Sequence, residues 1–308
     1  MSPGARRRLS LKLFTPTRVW VRMMPVMSPG TRVLAGVALI AVALIEIACF
    51  DTFAGATVER RVERVFEVEA GSSVLVRIGG GAITSDAGEP GTVRVTLRQR
   101  IAADSDAEAD RALEEYEIAL TQESGEVRVV ARPKNRRWSN RVHVSAALTA
   151  PPDVRLDLQT SGGGIEVRGD RQAALRAATS GGGIDVDGGA GDLALDTSGG
   201  GITVGRALGL LSADTSGGGI SVGYVGAAAR RITLDPSGGG IRVGVDPAAS
   251  LDVSAATSGG GVRIEGLPFA AESRERSRAR GTINGGAGQL HAETSGGSIV
   301  VQAAAPPK

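Results

Sequence analysis

Between residues 153 and 302, apolar and polar residues alternate in short runs, and each pair of runs flanks the same block, Thr-Ser-Gly-Gly-Gly-Ile. The block begins at Thr160, Thr179, Thr197, Thr215, Pro236, Thr257 and Thr294; proline replaces threonine in the fifth copy, and Gly-Gly-Ser replaces the triplet in the last. The first six copies are spaced by 18 to 21 residues, and the last step is 37, about two periods. Four and two residues before the block start lie Leu156/Leu158, Leu175/Ala177, Leu193/Leu195, Leu211/Ala213, Ile232/Leu234, Val253/Ala255 and Leu290/Ala292. Five and seven residues after it lie Ile165/Val167, Ile184/Val186, Ile202/Val204, Ile220/Val222, Ile241/Val243, Val262/Ile264 and Ile299/Val301. Asp157, Arg176, Ser212, Thr233, Glu166, Asp185, Thr203 and Arg242 sit between them. A period of two is the signature of a strand with one face in the core.

Each repeat therefore predicts two short strands joined by a glycine turn. One such unit cannot bury its apolar face alone, but stacking each strand beside its equivalent in the next repeat does so. The expected fold is all-β: a parallel β-solenoid of about seven 18–21-residue coils. The triplet is expected to supply positive φ and to let neighbouring turns approach closely. A phosphate-cradling loop would need a strand-to-helix context, whereas every triplet here leads into a strand.

Residues 57–150 read differently. Val65, Val68, Val74, Val76, Val93, Val95, Leu97, Val127, Val129, Val142 and Val144 mark strands, and Gly79–Gly81 before Ile83 reads as a degenerate first copy of the repeat. One helix is expected. Ser105 and Glu108 have capping-box spacing, and Ala109, Leu113, Tyr116 and Leu120 follow at helical spacing. This segment is expected to form a strand-rich cap over the first coil, because an open sheet end templates aggregation. Pro151-Pro152 marks the hinge into the regular coils. Arg136, Arg137, Trp138 and Arg141 form a basic-aromatic cluster that could touch glycan or lipid headgroups; a solvated loop is the preferred reading.

Composition supports narrow coils. Glycine makes up 45 of the 308 residues, and aromatics are 3%. The net charge of +2 conceals a split. Residues 1–56 carry seven basic and two acidic groups, which leaves 28 basic and 31 acidic groups for the rest. The body is thus weakly acidic and aromatic-poor, which argues against nucleic acid as a partner. The one cysteine, Cys49, lies in the leader, and only His143 and His291 are present, so neither a disulfide framework nor a Cys/His metal cluster is expected. No cofactor is expected.

Residues 1–56 read as a leader. Val33–Ile45 is an uncharged apolar run, short for a membrane span but suited to a signal peptide, and Ala54-Gly55-Ala56 offers a cleavage site. Retention as an anchor over residues 33–53 is the alternative, and would associate the protein with a membrane. Glu46 stands where a lipobox would carry leucine, which disfavours acylation of Cys49. Met27-Ser-Pro-Gly repeats Met1-Ser-Pro-Gly, so the true start could be Met27. The domain reading is 1–56 leader, 57–150 cap, 151–302 solenoid and 303–308 disordered tail.

The run Thr160-Ser161-Gly162-Gly163-Gly164-Ile165-Glu166-Val167 and the closing Asn284-Gly285-Gly286 with Thr294-Ser295-Gly296-Gly297-Ser298-Ile299 resemble the "putative adhesin" domain family of bacterial envelope proteins. The resemblance spans roughly residues 60–302. It implies a β-solenoid exposed in the periplasm or at the cell surface, and supplies no catalytic residues.

Three features are candidates for chemistry. Asp196, Asp214 and Asp235 fill the slot before the turn on three consecutive repeats. Such a ladder could bind calcium or act as acid and base on a polysaccharide. The preferred reading is that each carboxylate caps its own glycine turn. The serines at 161, 180, 198, 216, 237, 258 and 295 have no evident base, so hydrogen bonding along the ladder is expected rather than catalysis. Residues 269–280 break the period and carry Arg274, Arg276, Arg278 and Arg280 with Glu272 and Glu275, a possible binding surface for an anionic envelope polysaccharide or another surface polymer. The reading is a non-enzymatic, exported envelope protein, adhesin-like or structural. Its alternatives are an anchored periplasmic ligand- or stress-sensing module and, less favoured, a polysaccharide-active enzyme.

Overall fold

The computed structural model describes residues 56–135 and 141–306. The leader, with its cleavage, anchor and acylation readings, lies outside them, as do Arg136, Arg137 and Trp138. Among the described residues no helix is long and apolar enough to cross a membrane.

The first part of the chain forms β1 (Thr57–Glu67), β2 (Ser73–Ile78), β3 (Ile83–Ala87), β4 (Thr92–Ala102), helix α1 (Asp106–Glu114), β5 (Tyr116–Glu123), β6 (Glu126–Pro133) and β7 (Val142–Ala150). The regular repeats follow as β8 (Arg155–Thr160), β9 (Ile165–Arg171), β10 (Leu175–Thr179), β11 (Ile184–Gly189), β12 (Leu193–Thr197), β13 (Ile202–Ala207), β14 (Leu211–Thr215), β15 (Ile220–Val225), β16 (Arg231–Pro236) and β17 (Ile241–Val245). The chain closes with β18 (Leu251–Thr257), β19 (Val262–Glu265), β20 (Phe269–Arg274), β21 (Arg278–Ile283), β22 (Gly288–Thr294) and β23 (Ile299–Ala303).

The strands before and after each glycine turn fall into two sheets, of 12 and 11 strands, with the apolar slots of both facing a shared core. Leu193, Leu195 and Thr197 are buried while Ala194 and Asp196 between them are exposed, and the pattern recurs coil after coil. Pairing is parallel and in register: Leu175 beside Leu193, then Leu193 beside Leu211. This is the expected parallel solenoid. The degenerate copy at Gly79–Gly81 belongs to it, since β2 pairs β8 and β3 pairs β9.

The stacking order departs from the sequence order at the far end. The last repeat does not lie beyond the sixth. Its strand β22 pairs with β16 on one side and β18 on the other, and β23 likewise sits between β17 and β19. The sixth repeat is outermost, and the hairpin β20–β21 pairs antiparallel on the free side of β18.

The repeated threonines hold adjacent turns together. Six of them turn inward, and each Oγ1 donates to a glycine carbonyl of the neighbouring coil. Thr160 reaches Gly81, Thr179 reaches Gly163, Thr197 reaches Gly182, Thr215 reaches Gly200, Thr257 reaches Gly297 and Thr294 reaches Gly239, all at 2.6–2.7 Å. The hydrogen-bond ladder expected of the serines therefore belongs to the threonines. The adjacent serines point to the opposite face, as strand alternation demands, and are exposed.

The triplet glycines are required for close approach alone. None has φ in the left-handed region, so the expected positive φ is not the reason for them. A Cβ on Gly182 would lie 2.4 Å from the Gly164 nitrogen and 2.5 Å from the Gly163 carbonyl carbon. The coils touch backbone to backbone at this corner.

At the N-terminal end β1 and β4 pair antiparallel, as do β5 and β6. The helix forms where the capping box placed it, with the Ser105 side chain accepting from the Glu108 amide. It ends at Glu114, so Tyr116 and Leu120 of the expected helical stripe belong instead to β5. Ala109 and Ala112 are the residues it buries. Side chains join the two edge strands: Arg64 donates to the Leu120 carbonyl at 2.7 Å and Gln122 to the Glu67 carbonyl at 2.6 Å. This end is tied shut, as an exposed sheet edge requires.

Candidate functional surface

The arginine-rich insertion is a β-hairpin on the outer end of the 12-stranded sheet. Its turn is fixed through backbone: the Arg276 carbonyl accepts from Val262 N–H and the Ser277 carbonyl from Thr257 N–H, both at 2.9 Å. The turn thus caps the open edge of the sixth coil while its side chains stay outside. Arg278 and Arg280 lie opposite Ala256 and Ser254, which places them on the solvent face of the sheet. All four arginines are exposed, and among the described residues none has a carboxylate within ion-pairing distance. The other half of the hairpin, β20, is an edge strand bulged near Glu272.

The three aspartates do align. Asp196 lies beside Asp214 and Asp214 beside Asp235. Insertion of the last repeat adds a member that sequence order concealed, since continuing the β16–β22 register brings Glu293 alongside Asp235. Asp214 is held above the ordinary carboxylate range by burial first, then by repulsion from Asp235 and Asp196, with a 3.4 Å hydrogen bond from Ser212 opposing the shift. Ser212, not a turn amide, is the partner seen for Asp214, so the turn-capping reading does not describe it. Among the described residues no group of three or more His, Cys, Asp or Glu side chains is placed to hold a metal. Parallel carboxylates on neighbouring strands all project outward instead of converging.

Two concave surfaces lie among the described residues. At the N-terminal end, a groove of about 710 Å³ is lined by Arg61, Arg98, Arg100, His143 and Ser145. Glu63 and Glu59 already pair with Arg61 and Arg100, at 3.1 and 2.6 Å. At the base of the arginine hairpin, a second groove of about 460 Å³ is lined by Asp252, Ser254, Glu272, Arg280, Gln289 and His291. Of these, Arg280 and Glu272 stood out in the sequence as part of the insertion. The rest are polar positions on β18 and β22, beside which the hairpin lies. His291 lies 3.6 Å from Glu293.

No protein-family model and no curated protein sequence matches the chain. Among solved structures, a "putative cell adhesion protein" from Clostridium sporogenes is similar at 11% identity and a TM-score of 0.32, over 78% of this chain and 98% of its own. A "putative adhesin" from Bacteroides fragilis is similar at 11% identity and 0.31, over 79% and 96%. A "putative lipid binding protein" from Parabacteroides distasonis is similar at 12% identity and 0.29, over 78% and 96%. The functional reading rests on the surfaces of this chain.

Proposed function

We propose that this is an exported, non-enzymatic envelope protein, whose solenoid is a scaffold that presents the arginine hairpin to anionic surface polymers. The observation that carries the reading is the set of four exposed guanidinium groups, Arg274, Arg276, Arg278 and Arg280, with no carboxylate paired to any of them. A guanidinium is always charged and presents a planar fork of donors suited to carboxylate and phosphate groups. Some surface arginines are neutralised locally, Arg132 by Glu117, Arg141 by Glu108 and Arg168 by Glu166, and others, such as Arg176 and Arg242, are exposed singly on the sheet faces. The hairpin gathers four within seven residues, on a backbone pinned to both strands of the sixth coil. The regular parallel stack suits display better than turnover.

The test is retention of the purified body on an acidic envelope polysaccharide, for the native chain and for a variant with all four arginines changed to serine. The native protein is expected to be retained at low salt and released as salt rises, because exposed charges are screened within about 8 Å at physiological ionic strength. Equal retention of the variant would overturn the reading. Digestion of the protein on intact cells, against cells with a permeabilised outer layer, would report which side of that layer the solenoid occupies.

A further inference from the structure

We infer that the groove beside the hairpin is a binding site for an acidic sugar, a saccharide carrying both a carboxylate and free hydroxyls. The inference rests on the anionic-polymer reading above and gives it a subsite. Three strands, β18, β21 and β22, form the floor. Ser254 of β18 lies between Arg280 of β21 and His291 of β22, and Asp252 lies between Thr282 and Gln289 in the next row. Buried Val253 and Leu290 support the floor from the core side, so these positions are fixed by packing. Glu272, on the bulged edge strand, forms the outer wall.

The groove holds charges of opposite sign that do not pair with each other. Arg280 shares it with Asp252 and Glu272, yet neither carboxylate lies within 4.0 Å of the guanidinium. Gln289 accepts from Arg231 through its Oε1 at 3.3 Å, which leaves its amide nitrogen to donate. The lining therefore offers a cationic fork on β21, a carboxylate on the strand to either side of it, and amide, hydroxyl and imidazole groups on β18 and β22. A bare phosphate would meet Arg280 but also two carboxylates. A uronate satisfies both signs, with its carboxylate on Arg280 in the bidentate geometry that guanidinium favours. Its hydroxyls donate to Asp252 and Glu272. The groove volume of about 460 Å³ falls in the range typical of small-ligand sites, about 300–1,000 Å³.

Titration calorimetry of the full chain with trigalacturonate tests this, alongside its methyl ester and polyphosphate. Trigalacturonate is expected to bind. Esterification, or Arg280→Gln, should weaken it by about tenfold or more, the loss of a charge-assisted bidentate pair. Arg280→Lys keeps the charge but not the fork, and should recover only part of the affinity. Asp252→Asn should weaken binding by about threefold or more, by turning an acceptor of charge-assisted hydrogen bonds into a neutral amide. These side chains are exposed, and an unchanged melting temperature will confirm that each variant is folded. Absence of trigalacturonate binding, or binding indifferent to both Arg280→Gln and Asp252→Asn, overturns the subsite. If polymer retention still depends on the hairpin arginines in that case, the subsite alone has failed. If it does not, the broader reading has failed with it.

Discussion

Gly239 N–H donates to the Gly218 carbonyl at 3.0 Å, at the one step of the regular repeats where proline stands in the threonine row. Pro236 lies beside Thr215 and brings no hydroxyl, so the carbonyl that a threonine would have served is satisfied by backbone instead. One glycine carbonyl on each of these coils is thus partnered across the corner, by one route or the other. Thr197→Val should orphan the Gly182 carbonyl and cost about 1–3 kcal/mol, whereas Thr197→Ser should cost less because the donor is kept. Pro236→Val should leave Gly218 served, and cost less than Thr197→Val. Urea unfolding midpoints of the three variants decide the ranking.

Close approach, not left-handed backbone, makes the triplet glycine-only. Gly182→Ala forces a methyl group to 2.4 Å from backbone of the next coil, so the coils must separate. The expected loss is at least the roughly 1–3 kcal/mol typical of overpacking. Gly80→Ala meets nothing within 4 Å and should be nearly silent. Thermal melts followed by circular dichroism distinguish the two.

Arg171 is 1% exposed and has no carboxylate in contact. It serves the Pro151-Pro152 segment instead: its guanidinium donates to the carbonyls of Ala150, Pro151 and Val154 at 3.3, 2.8 and 2.5 Å. Burial pushes its pKa down to about 10, with Asp153 opposing. The depressed value means the unfolded chain holds this proton more tightly. Burial of the charge therefore costs stability below pH 10, and that cost is relieved as pH rises from there towards the ordinary arginine value. Arg171→Met would remove the buried charge but strand three carbonyls. At about 1–3 kcal/mol for each orphaned acceptor, the net effect should be destabilising at neutral pH, read from the shift in the urea midpoint.

The aspartate row repels itself. Because Asp214 is raised in the folded state, folding favours its protonated form. The stabilisation this brings is fully present below the unfolded carboxylate value and is lost as pH rises through the raised folded value. Asp214→Asn should therefore stabilise the protein at pH 7, by on the order of 0.5 kcal/mol for relief of a like-charge cross-strand contact, and the gain should vanish in mild acid. Melting temperatures of native and variant protein across pH 3–7 test the sign.

Much of the architecture was legible because it repeats. Seven aligned copies with apolar slots at the same offsets leave strand alternation as the simplest reading, and that alternation by itself dictated which residues face the core and that neighbouring coils pair in register. The capping box at Ser105 was readable for a similar reason, being a local interaction between residues three apart. The helical stripe through Tyr116 and Leu120 misled because apolar spacing cannot tell where a helix stops. The Tyr116 hydroxyl bonds to the Val142 carbonyl at 2.8 Å, a contact across the sheets that no local pattern encodes.

The same regularity hid the order of the last two coils. Their strands carry equivalent residues at equivalent slots, so pairing β16 with β18 or with β22 satisfies the pattern alike, and sequence has no means of choosing. The choice is made by the hairpin. With β21 occupying one side of β18, the returning chain is taken up between the fifth and sixth repeats, where β22 gains a partner on each side. That decision sets Glu293 in line with Asp235 and gathers Asp252, Ser254, Arg280, Gln289 and His291 around one groove. The sequence alone determined the repeating strand, its buried face and its glycine corner, because those follow from local alternation and steric size. The candidate site was decided only in three dimensions, because it depends on which of several equivalent edges a strand meets.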